Sequence, residues 1–243
     1  MWRSTIGKKT IVAVTGAILI GYLILHMAGN LNSLFGPGGG SEPRIDWYAE
    51  WLRDFGQPLL PYYSVVWVTR LVLLGALIVH ITGVVQLSIR NSAARPAQYP
   101  ARKIGRSWES RLMMVSGTLL FAFIVFHILQ FTSLTIDVTP LHHGTVYANL
   151  YYAFQEWYFL VIYLVALVLL GMHLRHAIWS LTQTLGLDNP ARNRPIRHGA
   201  TGLTVLLMVG FAIVPILFFT DVLDPPEATG MITAISALGG GLF

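Results

Sequence analysis

Four histidines, His26, His80, His127 and His173, each lie inside a separate apolar stretch of the chain. Each falls about three or four residues past the middle of its stretch. If the stretches alternate direction across a bilayer, His26 and His127 share one depth and His80 and His173 another. Ionisable side chains at such depths are costly and as a rule functional. Imidazole in neutral form is a good metal ligand, and two axial histidines are a standard way to hold haem iron. The pattern therefore predicts two stacked b haems, ligated by His26 with His127 and by His80 with His173. Two axial ligands leave iron no open position, which favours electron transfer over oxygen chemistry. A single zinc or iron ion held by all four fits less well, because the pairs lie at different depths. At about 1.5 Å per helical residue, the two levels are expected on the order of 10 Å apart. For any one of the four alone, packing or hydrogen bonding inside a helix is the plain alternative.

The elements that position these residues follow from composition. The chain has 243 residues, 54% of them hydrophobic and 11% charged, with a mean hydropathy of +0.61. Soluble domains carry about 25% charge, so this is an integral membrane chain with no room for a separate soluble domain. There are no cysteines, which excludes disulfides, thiolate-held clusters, a cysteine nucleophile and c-type haem attachment. Five apolar runs approach or exceed the roughly 20 residues that a bilayer requires. They cover approximately residues 10–34, 62–89, 112–136, 157–181 and 201–222. Lipid cannot satisfy backbone groups, so each must be a helix. The expected fold is all-α, a single transmembrane unit over residues 1–243, with the first four spans bundled around the cofactors. The first span has a basic flank and no small-residue cleavage site, and reads as a retained helix rather than a signal peptide.

The net charge of +5 reflects membrane orientation rather than nucleic-acid binding. Arg3, Lys8 and Lys9 precede the first span, and Arg90, Arg95, Arg102, Lys103, Arg106 and Arg111 separate the second from the third. Arg175, Arg192, Arg194 and Arg197 flank the loop before the fifth. The other side carries Glu42, Asp46, Glu50, Asp54, Asp137, Asp221, Asp224 and Glu227, with only Arg44 and Arg53 in its loops. By the positive-inside rule the N-terminus is cytoplasmic and the C-terminus outside. The basic loop between spans two and three suits a soluble partner, or anionic lipid. The glycine-rich loop at 36–41 breaks structure. Beyond it, a segment from about Asp46 to Phe55 with Trp47, Tyr48 and Trp51 should form a short amphipathic piece at the outer interface. The tail ending at Phe243 looks irregular.

An internal echo is visible. Val14-Thr-Gly precedes His26 with the offset by which Val115-Ser-Gly precedes His127. Spans one and three thus look equivalent, and spans two and four correspond through His80 and His173. Small residues such as Gly16, Gly21, Gly29, Gly75, Gly83, Gly117 and Gly171 permit close helix approach. Haem propionates require donors, and Arg111 and Arg175 lie near the inner level. Arg70 stands nearly two turns into span two, where either an internal role or snorkelling to headgroups accounts for it. His176 follows His173 by three residues and either bonds a propionate or sits at the inner interface. His142 and His143 fall in an outer loop and read as solvated, and His198 as interfacial.

Several motifs carry a family resemblance. Ser4-Thr-Ile-Gly-Lys-Lys-Thr10, Val14-Thr-Gly16 and His26-Met-Ala-Gly-Asn-Leu31 form the first. Glu109-Ser-Arg-Leu-Met113, Ser116-Gly117 and Phe126-His-Ile-Leu-Gln-Phe-Thr132 form the second, and Gly171-Met-His-Leu-Arg-His-Ala-Ile-Trp-Ser180 the third. The chain resembles the cytochrome b subunit of succinate dehydrogenases and fumarate reductases, the type with one five-helix, two-haem anchor. The resemblance implies that His26, His80, His127 and His173 ligate two b haems. It implies electron delivery from an iron–sulfur subunit, itself fed by a succinate-oxidising flavoprotein, to a quinone that is usually menaquinone. It also implies residence in the bacterial cytoplasmic membrane. His176 departs from the family, where a small or polar residue is common. No motif fixes the residue that exchanges protons with quinone. The outer haem level, Trp47 and Trp51 suggest a quinone pocket on that side, with Glu50 or Asp46 as the proton-exchanging carboxylate. For either alone, an acidic surface loop is the plain alternative. Flavin and dinucleotide fingerprints are lacking, so succinate oxidation belongs to a partner. Rival readings are a dihaem anchor of another respiratory dehydrogenase or hydrogenase, and a histidine-containing transporter.

Overall fold

The computed structural model describes residues 4–35, 42–93, 108–136 and 144–226, and the side chains of 108–111 stand outside that description. The loop at 36–41, the basic loop from Arg95 to Arg106, His142, His143 and the C-terminal tail therefore lie outside the described residues. Among the described residues there are seven α-helices: α1 Thr5–Asn30, α2 Arg44–Asp54, α3 Ser64–Ala93, α4 Trp108–Phe131, α5 Val146–Gln155, α6 Trp157–Thr184 and α7 Pro190–Phe219. Among the described residues there is no β-strand. Five helices, α1, α3, α4, α6 and α7, are long and apolar enough to cross a bilayer. The chain is an all-helical, multi-pass membrane protein.

Local chemistry sets the ends. Ser4 Oγ accepts from Gly7 N at 2.9 Å and opens α1, the usual role of a serine N-cap. Asn189 Oδ1 accepts from Ala191 N at 2.9 Å, with Pro190 at the first helical position. Together they start α7 eleven residues before the expected Thr201. The apolar run marks only the lipid-embedded part, so Arg192, Arg194 and Arg197 became helical although hydropathy left them in a loop. The amphipathic piece expected from Asp46 to Phe55 is α2. Its counterpart α5 was not anticipated.

The order of elements repeats: span, short helix, span in α1–α2–α3, and again in α4–α5–α6. The closest helix pairs are α1 with α3, α4 with α6, and α6 with α7. The first pair is antiparallel, since Gly16 meets His80 while Gly83 meets Val12. In α6 and α7, Gly171 meets Met208 and Trp179 meets Arg197. A side chain at Gly171 would overlap Met208, and one at Gly210 would overlap Met27, so glycine permits α7 to approach both α6 and α1. Helix ends thus segregate. Lys8, Lys9, Arg90, Arg175, Arg192, Arg194 and Arg197 gather at one end, and Glu42, Asp46, Glu50, Asp54, Asp221 and Asp224 at the other.

The buried apolar cluster Ile45, Leu150, Phe154, Val214 and Phe218 ties α2, α5 and α7 together at the acidic end. Asp46 Oδ1 accepts from Tyr147 N at 3.0 Å, so α2 supplies the anion at the N-terminus of α5. A second cluster, Met27, Leu174 and Leu207, joins α1, α6 and α7.

Candidate functional site

At one level, His80 of α3 lies against α1. A Cβ on Gly16 would stand 3.3 Å from His80 Cε1, so the missing side chain lets the ring approach. Thr15 Oγ1 lies 3.2 Å from His80 Nδ1, and Val12 O is also at 3.2 Å. A carbonyl can only accept. The Thr15 hydroxyl already donates to Ile11 O at 2.8 Å, so it accepts too. His80 Nδ1 must therefore carry the proton, which leaves Nε2 with a free lone pair.

The second half of the chain repeats the device. A Cβ on Gly117 would stand 3.3 Å from His173 Cε1, and Ser116 Oγ lies 3.2 Å from His173 Nδ1. The serine hydroxyl also lies 3.2 Å from Met113 O, to which it can donate while accepting from the imidazole. His80 and His173 are near enough to interact electrostatically. The hydroxyl–glycine dipeptides that echo in the sequence upstream of His26 and His127 thus serve the other two histidines.

At the other level the surroundings are aromatic. The rings of His26 and His127 lie 5.8 Å apart, centroid to centroid, at 81°. Two imidazoles on opposite sides of one metal ion require about 6 Å, given metal–nitrogen bonds of roughly 2 Å and the half-width of each ring. His127 Nδ1 lies 3.0 Å from the Tyr163 hydroxyl, which donates to Gln130 Oε1 at 2.8 Å. With its own proton on Gln130, Tyr163 can accept from Nδ1–H of His127. Gln130 is 1% exposed, and its Nε2 is a buried donor without a partner. His26 is held less firmly, with Tyr22 Oη at 3.5 Å from its Nδ1. Phe211, Phe123 and Phe131 surround the pair.

Three of the four imidazoles thus have a hydrogen-bond partner at Nδ1, which orients the ring and leaves Nε2 for a further ligand, as proteins present histidine to a metal. The donor set fits two separate bis-histidine sites. Among the described residues no group of three or more His, Cys, Asp or Glu is placed to hold a metal ion together. His26 lies ten residues beyond Gly16, which touches His80, and His127 lies ten beyond Gly117, which touches His173, so the two pairs stand at separate levels along the helices.

The remaining candidates separate. The antiparallel register of α1 and α3 puts Arg70 level with His26. Its guanidinium is exposed and stacks on Trp67 at 5.1 Å and Tyr63 at 5.7 Å. The Arg111 side chain is outside the described residues. Arg175 is two positions from His173, so it faces away from it. It lines a depression with α7 instead. His176 remains one turn beyond His173 on α6. Trp47 and Trp51 line a hollow of about 300 Å³ with Ala28, Asn32, Arg44 and Tyr48. Glu50 pairs with Arg53 at 2.6 Å and accepts from Tyr62 Oη at 2.9 Å. Those hydrogen bonds hold its carboxyl below the usual range. Asp46 moves the other way: burial pushes it up, against the pull of the Tyr147 and Val146 amides.

Sequence reading missed Thr15 and Ser116 as imidazole partners, and missed Tyr163 and Gln130. It also assigned Lys8 only to the charge count. Lys8 is 4% exposed and donates to Gln86 Oε1 within the span. The repeated Thr/Ser-Gly pair was a usable signal for the first two. Nothing local marks Tyr163. The chain matches no protein-family model, and neither a curated protein nor a solved structure matches it.

Proposed function

We propose that the chain is the membrane-anchor and electron-transfer subunit of a succinate:quinone oxidoreductase, with menaquinone as the quinone, in a bacterial cytoplasmic membrane. The observation that supports the haem sites is that His80, His127 and His173 each meet a hydrogen-bond partner at Nδ1, with the rings of His26 and His127 face to edge and His80 near His173. The motif resemblance carries the choice of enzyme. His26 with His127 and His80 with His173 would hold two b haems, which supply one-electron transfer when bound.

The protein's own part is ligation, orientation and exclusion of water. Thr15 and Ser116 keep the Nδ1 protons of one pair, and Tyr163 keeps that of His127. Arg70, level with His26, would neutralise an anionic group there. Its stacking on Trp67 and Tyr63 keeps the guanidinium at the acidic end. The hollow between Trp47, Trp51 and Tyr48 suits a flat apolar ring, with Asn32 and Arg44 as polar groups on its wall. Of the two carboxylates, Asp46 has its pKa raised and Glu50 lowered, so Asp46 is the better proton carrier, although it caps α5 and stands outside the lining of the hollow. The N-terminus would face the cytoplasm, where the iron–sulfur and flavoprotein subunits dock.

The test is purification of the native complex with subunit identification and a reduced-minus-oxidised spectrum. The reading expects about two haems b per chain and both soluble subunits. A dihaem spectrum with other soluble subunits would move the chain to a different respiratory enzyme. A colourless preparation would reject the haem sites and favour a transporter.

A further inference from the structure

A charged concavity lies away from the histidines, between the C-terminal part of α6 and the N-terminal part of α7. It has a volume of about 460 Å³ and is lined by Arg175, Pro190, Asn193, Arg194, Arg197, His198 and Thr201. Three guanidiniums from two helices meet there, and none of the lining residues is acidic. Arg197 is positioned by the face of Trp179, 4.2 Å from the ring centroid, a stacking that favours the cation. Tryptophan at this point marks the membrane interface.

Below the concavity the same helix faces turn apolar. On α7 the stripe Arg194, His198, Thr201 continues through Val205 and Val209, both exposed, at the helical spacing of three and four residues. On α6, Arg175 stands above Val168 and Val161, also exposed, at intervals of seven. The register of Gly171 against Met208 brings Val168 level with Val209. A cationic hollow thus caps an apolar seam that runs into the bilayer.

We propose that this hollow binds the phosphate of an anionic phospholipid, one acyl chain lying along the α6–α7 seam. Phosphate is matched by the planar, bidentate donors of arginine, and basic pockets between spans suit anionic headgroups. The seam favours a lipid over a free anion, which would gain nothing from Val168 and Val209. It also favours a lipid over a soluble protein, which cannot reach below the interface. The proposal depends on the membrane reading alone and stands whether or not the histidines hold haem.

The test uses the complex purified with its partners, exchanged into detergent with dioleoyl phosphatidylglycerol or dioleoyl phosphatidylcholine, and read by native mass spectrometry. The wild type should retain phosphatidylglycerol over phosphatidylcholine. Arg194→Gln with Arg197→Gln should lower that retention by roughly 25-fold, about fivefold for each arginine, with helicity by circular dichroism unchanged. Arg175→Gln serves as a second variant if the double one loses its fold, and should cost about fivefold. Equal retention of both lipids by the wild type would overturn the proposal in favour of acyl contact alone. So would unchanged phosphatidylglycerol retention in the variants. Displacement of the lipid by millimolar inorganic phosphate would overturn it in favour of a free-anion site. Loss of a soluble subunit from the variants with lipid retained would overturn it in favour of protein docking.

Discussion

At the level of His80 and His173 each imidazole is set by a hydroxyl and a glycine on the adjacent helix, and the two halves of the chain do this alike. At the level of His26 and His127 the halves differ. His127 is held by a phenol whose own proton is committed to Gln130, while His26 has only a distant contact to Tyr22 one turn earlier on its own helix. The first arrangement is written into a dipeptide that recurs in the chain. The second depends on aromatic residues that α1, α4, α6 and α7 bring together. A level built twice from one motif should respond symmetrically to mutation, and a level assembled from unlike parts should not.

The largest effects should come from the ligands themselves. His80→Ala and His127→Ala should each remove about one of two haems per chain, measured by pyridine haemochrome on purified complex. The pairing fails if either variant loses both haems while folding is kept, or loses none. Next, Gly117→Leu should disrupt the His173 level, because the added side chain meets the ring at the 3.3 Å approach. Signals from the His26 and His127 level should persist in the low-temperature spectrum. Gly16→Leu should do the same through His80, and a haem lost from the other level instead would contradict the assignment of these glycines.

The third prediction separates the two sides of the asymmetric level. Tyr163→Phe removes the acceptor for His127 Nδ1 and should weaken haem retention about 10- to 100-fold, with a shifted midpoint potential for that level. Tyr22→Phe should change retention by less than about threefold, in keeping with a weak contact. Comparable losses from the two would show that His26 is held as firmly as His127. At the symmetric level, Thr15→Val and Ser116→Ala should each cost roughly tenfold. The two should agree within about a factor of two. Helix-wide damage would instead appear as loss of both levels.

The smallest effect concerns Asp46. Its folded pKa is raised, chiefly by burial, so the folded state binds the proton more tightly than the unfolded chain. Its contribution is fully present below the unfolded value and is lost as pH rises through the folded value. Asp46→Asn keeps an acceptor for the Tyr147 amide and removes the titration. The melting temperature of wild type relative to Asp46→Asn should therefore fall as pH increases from about 4 to about 7. Asp46→Ala should lower stability by about 1 kcal/mol at low pH through loss of the acceptor for the Tyr147 amide, and that difference should shrink as pH rises. A wild-type advantage that grows with pH would reverse the sign and reject the account.

The sequence by itself determined five spans, the short helix after the first, the charge difference between the two ends, and one histidine in each of four spans. These are local properties: hydropathy adds along a run, and the bilayer forces the run into a helix. Tertiary structure alone decided which groups face one another. It assigned Thr15 and Ser116 to His80 and His173, chose Tyr163 for His127, and turned Arg175 towards α7. It separated Asp46 from Glu50, which had looked interchangeable, by setting one half-buried at the N-terminus of α5 and pairing the other with Arg53. The spans are apolar on every face, and lipid is as apolar as a protein interior, so no amphipathic stripe announces the inward side. Rotation and register come from close packing at glycines such as Gly16, Gly117 and Gly171 and from hydrogen bonds between helices.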